Sequence, residues 1–245
     1  MLRIHWLEFK SEFLKMFRLP AYVIPTLAFP LMFYLFFAVA FGQKGAAAYL
    51  LATYGAFGVI GASLFGFGVS VAIERGQGWL SLKRATPMPL SAWFGAKLGM
   101  ALLFSAIIVV CLSLLAVFLG GVHFGATVWP QLFVALVGGA LPFCAMGLMI
   151  GYAAGPNSAP AIVNAVYLPM SFLSGLWIPI EVMPKFLQKI APALPPYHLG
   201  RLALIATGAA KGSAAPHIAV LLGFTALFLA GATIAYRRDE GKVYG

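Results

Sequence analysis

Apolar residues form six long runs along the chain, and short polar or charged stretches separate them. The runs cover residues 22–41, 49–73, 93–119, 130–154, 160–177 and 216–236. Most reach the ~20 residues that an α-helix needs to cross the hydrocarbon core of a bilayer. Because backbone groups in lipid must be hydrogen-bonded within the protein, the pattern predicts six spanning helices and an all-α polytopic membrane protein.

The first 19 residues have a different pattern, in which apolar side chains recur at helical spacing. These apolar positions are Leu2, Trp6, Phe9, Phe13, Met16 and Phe17. The remaining faces carry Arg3, Glu8, Lys10, Glu12, Lys15 and Arg18. Such a segment is too charged to span, so we expect an amphipathic helix over residues 1–19 that lies along the membrane surface. Because the first apolar run begins only after this segment, we interpret the N-terminus as retained.

Composition supports a membrane protein and argues against a soluble one. The chain is 62% hydrophobic and 9% charged, whereas a soluble domain carries roughly 25% charged residues. No Asp, Glu, Lys or Arg occurs between Lys97 and Glu181. The net charge of +10 does not favour nucleic-acid binding, because the basic residues lie in short clusters between the apolar runs.

Charge placement predicts the orientation of the spans. An even number of crossings puts both termini on one side, and the two termini and the 74–97 loop hold 4, 3 and 4 Lys or Arg residues, respectively. That side carries 11 of the 16 basic residues, and the positive-inside rule makes it cytoplasmic. We therefore expect a multi-pass protein of the cell inner membrane with both termini in the cytoplasm.

The stretch between the fifth and sixth runs does not fit a simple external loop. It carries basic residues on the predicted outside, namely Lys185, Lys189, Arg201 and Lys211. Its prolines divide it into pieces too short to span: Pro179, Pro184, Pro192, Pro195 and Pro196. We interpret residues 178–199 as short re-entrant helices that dip into the outer leaflet, where protein shields the irregular backbone. An ordinary extracellular loop is the alternative.

The sequence contains no motif for catalysis or metal binding. It has neither a phosphate-binding G-x-x-x-x-G-K-[ST] loop, nor an H-E-x-x-H pair, nor a G-x-S-x-G elbow. The four histidines, His5, His123, His198 and His217, are isolated in the sequence. We therefore predict no catalytic residue, no metal site and no enzymatic activity in this chain.

The spans also lack a clear ionisable group at mid-depth. Ion-driven secondary transporters usually place such groups within their spans to bind the coupling ion. Backbone carbonyls can still bind sodium, so an ion-coupled carrier or a channel stays an alternative, as does a membrane scaffold that transports nothing. The favoured interpretation is that energy enters from outside the chain.

Glycines at regular spacing predict close helix packing in the fourth span. Gly147, Gly151 and Gly155 form a G-x-x-x-G-x-x-x-G ladder, which lets a neighbouring backbone approach. A less regular set occurs in the second span: Gly55, Gly58, Gly61, Gly66 and Gly68. We favour packing within the chain over a dimer seam.

Two motifs give the chain a family resemblance. The loop from Glu74 to Ser91, ERGQGWLSLKRATPMPLS, resembles the E-R-x-x-G-x-x-x-x-L-x-x-x-P loop of type-2 ABC exporter permeases. A second stretch, from Ser174 through Pro179 to Arg201, resembles that family's signature around the fifth span. The two motifs occur in the family's order and spacing, so the resemblance extends over nearly the whole chain as a single transmembrane domain, residues 1–245.

The resemblance implies roles for both motifs. Residues 74–92 would hold the coupling helix that docks on a separate ATPase subunit, through Glu74, Arg75, Gly78, Leu82, Arg84 and Pro87. Residues 178–199 would form a lid over the pathway, with contributions from Ser174, Gly175, Pro179, Pro184, Pro195 and Pro196. The alternative for the first loop is a solvated stretch that only sets orientation. Two departures from the family loop, Trp79 and the pair Lys83-Arg84, would alter the contacts with the ATPase.

The resemblance also implies partners and cargo. Two ATPase copies would use ATP and Mg²⁺, this chain would bind no cofactor itself, and a second copy of the permease would complete the pathway. The expected substrate is hydrophobic or amphipathic, such as a drug, a lipid or a lipid-linked glycan. No nucleic-acid partner is expected.

Overall fold

The computed structural model describes residues 1–18, 20–42, 45–86 and 88–240. Twelve α-helices are described in these ranges: α1 (Leu2–Phe17), α2 (Pro20–Tyr34), α3 (Ala46–Leu64), α4 (Ser70–Gly76), α5 (Trp79–Arg84), α6 (Leu90–Phe118), α7 (Val128–Gly138), α8 (Leu141–Ala153), α9 (Ala159–Leu173), α10 (Lys185–Ile190), α11 (Pro195–Ala206) and α12 (Ala215–Glu240). Two π-helical segments, Leu35–Ala40 and Phe65–Val69, continue α2 and α3. Short 3₁₀ turns occupy Ile180–Val182 and Ala191–Ala193.

The predicted all-α polytopic architecture is confirmed. Five described helical stretches are long and apolar enough to cross a bilayer: Tyr22–Ala40, Ala46–Gly76, Leu90–Phe118, Val128–Ala153 and Ala215–Arg238. They correspond to the first, second, third, fourth and sixth predicted spans. The fourth stretch bends between α7 and α8, where Gly138 and Gly139 precede Pro142.

The fifth predicted span, residues 160–177, is shorter than expected. Helix α9 has 15 residues and is therefore about 22 Å long, less than the ~30 Å of a hydrocarbon core. It ends because Gly175 adopts a left-handed backbone conformation, with φ of 78°. The N–H of Gly175 donates to the carbonyl of Phe172, and that of Leu176 donates to Ser171, which is the Schellman pattern of a helix end.

Helix α3 lies at the centre of the bundle, and its glycines allow close neighbours on several sides. A methyl group at Gly55 would lie 2.7 Å from Leu136 of α7, and one at Gly61 would lie 2.7 Å from the Tyr167 hydroxyl of α9. The same Tyr167 hydroxyl donates to the carbonyl of Phe57 at 2.8 Å. Small side chains on α3 thus set the spacing of the helices around it.

Helix α8 packs closely on the π-helical segment that follows α3. Two of the three glycines in the ladder, Gly147 and Gly151, lie at this contact. A Cβ at Gly147 would lie 3.1 Å from the backbone nitrogen of Gly68, and one at Gly151 would lie 2.9 Å from its carbonyl oxygen. Gly155 does not take part, because it follows the end of α8 and a Cβ there would meet only the Ser158 hydroxyl, at 3.6 Å. Gly147 and Gly151 therefore allow α8 to approach the backbone at Gly68 closely.

The outer helices α2 and α12 bury few of their apolar side chains. Examples on α2 are Ile24 and Phe29, and examples on α12 are Leu222 and Leu227, which are each 49–62% exposed. Exposed apolar faces of this length match the surface that a spanning helix presents to lipid.

Candidate functional site

One end of the bundle gathers charged side chains from α1, α4, α5 and α6, and we call it the Glu74 end. Helix α1 lies along the first half of α6, because its contacts advance in step with those of α6. His5 is 3.3 Å from Ser91, and the rings of Phe17 and Phe104 are 5.7 Å apart. Helix α1 therefore follows the axis of α6, and its position along the membrane surface stays a prediction.

Lys97 of α6 is the centre of an ionic cluster at the Glu74 end. Its side chain is 0% exposed, and its ammonium group lies 3.0 Å from Glu12 Oε2 and 2.6 Å from Glu74 Oε1. The third hydrogen bond goes to the Ser70 hydroxyl, at 3.2 Å. Since a lysine has three donors, the ammonium is fully satisfied. The second carboxylate oxygen of Glu74 accepts a hydrogen bond from the Trp93 indole at 3.1 Å.

Three more charged residues complete the ionic cluster. Lys15 pairs with Glu74, and Lys83 of α5 pairs with Glu8 of α1. Among the side chains that the structure describes, the cluster contains three carboxylates and three ammonium groups, whose formal charges cancel: Glu8, Glu12, Glu74, Lys15, Lys83 and Lys97. Removing one partner of a buried ion pair leaves an uncompensated charge, which typically costs 3–5 kcal/mol. The cluster thus ties α1, α4, α5 and α6 together.

The burial of α1 corrects the face assigned from its sequence. Glu12 was placed on a charged face opposite the apolar one, but it is 3% exposed and lies on the same buried side as Met16. Leu2 and Trp6, assigned to the apolar face, are 88% and 64% exposed. The physical reason is that Lys97 offers Glu12 a buried partner, so the inward face of α1 includes a charge.

Sequence reasoning missed the roles of Glu12 and Lys97. A signal for Lys97 was present, because a lysine within an apolar run is costly and is usually paired. Lys97 is the fifth residue of the third predicted span. The sequence does not identify the partners of Lys97, because Glu12 is 85 residues away in the chain.

Arg75, the neighbour of Glu74, joins α4 to the end of α8. Its guanidinium donates to the backbone carbonyls of Tyr152 and Ala154, the latter at 2.5 Å. A cation at this position satisfies carbonyls that the last turn of a helix leaves unpaired and complements the helix dipole. Gly76 extends the contact between α4 and the segment after α8, because a Cβ at this position would lie 2.5 Å from Pro156.

Two of the other predicted coupling residues, Leu82 and Arg84, belong to the short helix α5. Gly78 has φ of 75° and makes the turn from α4 into α5. On α5, Leu80 is buried, while Trp79 is 53% and Leu82 is 61% exposed. Arg84 is the last residue of α5. The predicted coupling residue Pro87 lies outside the described residues.

The structure explains one departure from the family loop. Lys83 replaces a residue type that is commonly aliphatic in that loop, and here it pairs with Glu8 of α1. The ammonium therefore turns toward α1, and the apolar side chains of Trp79 and Leu82 are left on the exposed surface. We name this surface, Trp79 with Leu82, the α5 face.

The predicted lid residues lie at the opposite end of the bundle, which we call the proline-rich end. Ser174 is buried and Gly175 makes the turn after α9. Pro179 and Pro184 immediately precede the first 3₁₀ turn and α10, respectively. Pro195 and Pro196 are buried at the start of α11. Helix α11 packs against α3, α7 and α12, so it inserts into the bundle.

Two apolar grooves open between the helices. One has a volume of about 460 Å³ and lies between α6, α8 and α12, with Phe94, Leu148 and Tyr236 in its lining. The other has a volume of about 650 Å³ and lies between α7, α8, α11 and α12, with Val134, Leu202 and Leu222. Their described lining residues include no charged side chain.

The described residues include no group of three or more His, Cys, Asp or Glu side chains placed to hold a metal ion. The ionic cluster has three carboxylates, but each already faces an ammonium group. This arrangement fixes the helices relative to one another.

Comparison with known proteins gives the chain its family. A protein-family model described as ABC-2 type transporter matches residues 6–207. The chain is also 27% identical over 237 residues to "Putative transport permease YvfS" of Bacillus subtilis (strain 168), covering 94% of this chain and 96% of that protein. These matches confirm the resemblance read from the loop and from the proline-rich signature. The chain is a multi-pass membrane protein that belongs to the ABC-2 type transporter family, whose members are transmembrane permease subunits.

Proposed function

We propose that this chain is the permease subunit of an ATP-driven exporter in the cell inner membrane. The observation that carries the proposal is the α5 face, where Trp79 and Leu82 are exposed beside a buried ionic cluster. The family generally pairs with an ATPase subunit. In this proposal the Glu74 end is cytoplasmic, ATP and Mg²⁺ are bound by the partner, and two permease copies work with two ATPase copies.

The α5 face has the properties of a docking surface for a protein. An exposed tryptophan is a typical anchor of protein interfaces, and neighbouring exposed apolar side chains mark interaction sites. The segment is also firmly held, because Leu80 is buried and Lys83 pairs with Glu8. A force applied to the α5 face is therefore passed to the bundle.

The ionic cluster and Arg75 supply two routes for that force. Glu74 links α4 to Lys97 of α6, and through Lys15 to α1. Arg75 links α4 to the end of α8. In our proposal, ATP-driven closure of the two ATPase subunits moves α5, and these links turn that movement into a change in the relative positions of α1, α6 and α8.

The proline-rich end acts as the lid in this proposal. Short helices of 12 residues or fewer cannot cross a bilayer, and α11 inserts among α3, α7 and α12. Exposed apolar residues near α10, such as Val182 and Phe186, are 72% and 62% exposed and suit contact with the outer leaflet. A re-entrant lid of this kind opens when the surrounding spans separate.

We propose a hydrophobic or amphipathic substrate. The two apolar grooves, of about 460 and 650 Å³, suit acyl chains or drug-sized apolar molecules. Their described linings offer Thr225 and Gln131 for hydrogen bonding but no fixed charge to match an ionic ligand. The groove residues, rather than the ionic cluster, are therefore the proposed contacts for cargo.

The test is co-purification with an ATPase subunit that is co-expressed with the permease. We expect the wild-type permease to retain that subunit in detergent, whereas Trp79→Ser/Leu82→Ser loses it because the apolar anchors of the interface are gone. The matched control is Phe186→Ser, which removes an exposed apolar side chain at the opposite end. Charge reversal at Arg84 and deletion of residues 76–86 extend the test to the whole loop.

Retention of the ATPase after the deletion of residues 76–86 would contradict the docking assignment. Transport by purified permease alone in liposomes, driven only by an ion gradient, would contradict the ATP-driven mechanism and support a secondary transporter.

A further inference from the structure

A small cavity at the proline-rich end is lined by polar side chains from three separate elements. Thr53 comes from α3, Ser174 from the turn after α9, and Arg201 from α11. The cavity has a volume of about 10 Å³. It lies where the proposed lid meets the central helix, so its contents join parts of the protein that are far apart in sequence.

Three hydrogen-bonding atoms around this cavity have no partner among the described protein atoms. They are Thr53 Oγ1, Ser174 Oγ and Arg201 Nε, and each is buried. The residues Thr53 and Ser174 are 1% and 4% exposed. Buried polar atoms are almost always hydrogen-bonded, because an unpaired one loses its interactions with water and gains nothing in return. All three residues line the same cavity, so one molecule bound there can supply the hydrogen bonds that these atoms lack.

The size of the cavity restricts that ligand to a very small molecule. A volume of ~10–15 Å³ is the least that holds a water molecule, and a buried water needs two to four polar partners. This cavity provides the volume and three partners. A larger group, such as the head group of a lipid, does not fit this arrangement of the helices.

The charge balance of the cavity favours a neutral ligand over an ion. The guanidinium of Arg201 and the carboxylate of Glu181 both contribute to the lining. These two formal charges cancel, so an anion would be attracted by Arg201 and repelled by Glu181, and a cation the reverse. Water can accept a hydrogen bond from Arg201 Nε–H and donate to the two hydroxyl oxygens.

We propose that this cavity binds one ordered water molecule, which bridges Thr53, Ser174 and Arg201. The water satisfies three otherwise unpaired groups and joins α3, the Ser174 turn and α11. A consequence for gating rests on the proposed function. If the lid moves away from α3, the hydrogen bonds to the bridging water are exchanged for hydrogen bonds to bulk water, and no direct bond between side chains has to break. The binding site itself does not depend on the transport mechanism.

Substitutions of the two hydroxyl residues test the proposal through the sign of their effect. With a bound water, Thr53→Val and Ser174→Ala each remove one partner of a satisfied network, and the Tm of the full-length permease in nanodiscs falls by roughly 2–4 °C. With a dry cavity, the same changes remove an unpaired polar atom, and the Tm stays the same or rises. An unchanged or higher Tm in both variants overturns the proposal.

Ser171→Ala is the matched control. Its hydroxyl is also buried without a partner among the described atoms, but Ser171 is outside the described lining of the cavity. We expect its Tm to equal or exceed that of the wild type. A fall as large as that of Ser174→Ala would show that the loss of any buried hydroxyl is harmful here and would remove the support for a bound water.

A density map of the wild-type protein at about 2 Å gives a direct test that does not require a variant to fold. The expected result is one spherical density within about 2.7–3.2 Å of Thr53 Oγ1, Ser174 Oγ and Arg201 Nε. No density there, or direct bonds between the three side chains, would overturn the proposal. A longer density that disappears without cargo would instead assign the cavity to the transported molecule and would also overturn it.

Discussion

At the residue scale, two buried carboxylates and one buried lysine organise the Glu74 end. Lys97 is held between Glu12 and Glu74 by hydrogen bonds of 3.0 and 2.6 Å. Sequence alone indicated Glu74 and Arg75, because they belong to a recognisable loop. It did not indicate Glu12, because a charge on an amphipathic helix is usually exposed and its partner comes from a helix more than 80 residues away. Long-range pairing of charges is the part that a single sequence does not reveal.

The first prediction concerns Lys97 itself. Lys97→Met removes the fully buried ammonium between Glu12 and Glu74 and leaves the three carboxylates of the cluster with only Lys15 and Lys83. We expect a loss of stability on the order of 3–5 kcal/mol. Thermal unfolding of the purified permease measures it. Lys10→Met is the control, because Lys10 lies on the exposed side of α1, and surface charges contribute about 0–1 kcal/mol.

A double substitution checks the physical cause of that loss. Adding Glu12→Gln to Lys97→Met removes the excess negative charge and leaves two carboxylates with two ammonium groups, so part of the lost stability should return. If the double variant is less stable than Lys97→Met by the full effect of Glu12→Gln alone, the two residues do not interact and the pairing is wrong.

At the scale of helices, the hydropathy of the sequence predicted where most helices lie. The exact ends of the helices depend on local backbone turns and on contacts with neighbouring helices. Five of six predicted runs correspond to long helices, because ~20 apolar residues in sequence have few alternatives to a spanning helix. The fifth run contains a shorter helix, since Gly175 ends it with a left-handed turn. A glycine permits such a turn without requiring it, so the sequence could not fix that boundary.

The second prediction uses the glycines of α8. Gly151→Ala places a methyl group 2.9 Å from the Gly68 carbonyl oxygen, so backbone must move, and we expect a destabilisation of roughly 1–3 kcal/mol. Gly155→Ala is the matched control, because its methyl group would have ordinary contact at 3.6 Å from Ser158. Equal melting temperatures for the two variants would show that α8 does not pack on Gly68 as described.

At the scale of the whole molecule, the two ends of the bundle have different chemistry. The Glu74 end holds the ionic cluster and the α5 face, and Tyr236 near the end of α12 lines the same depression as Lys83. Helix α1 and the end of α12 therefore lie at one end, with α10 and α11 at the other. The even number of predicted spans predicts that the two ends of the chain lie on the same side. The orientation of that side in the cell is predicted from the distribution of Lys and Arg residues.

The third prediction tests that orientation. In a background with Cys111 and Cys144 replaced by alanine, we expect Lys189→Cys on exposed α10 to react with a membrane-impermeant maleimide on intact cells. Thr86→Cys, at the Glu74 end, should react only after the cells are permeabilised. The reverse pattern would invert the proposed topology. Reaction of both cysteines on intact cells would show that residues 86 and 189 are not on opposite sides of the membrane.

The proposal that the ionic cluster transmits the action of a bound ATPase is tested most directly by the ATPase rate of the reconstituted complex. We expect wild-type permease in nanodiscs to change the rate of its ATPase subunit several-fold. Lys97→Met, examined below its melting temperature, should keep the subunit bound through the α5 face and yet remove that change, while Lys10→Met on the exposed side of α1 should behave as the wild type. A Lys97→Met permease that changes the ATPase rate as much as the wild-type permease does would contradict the account.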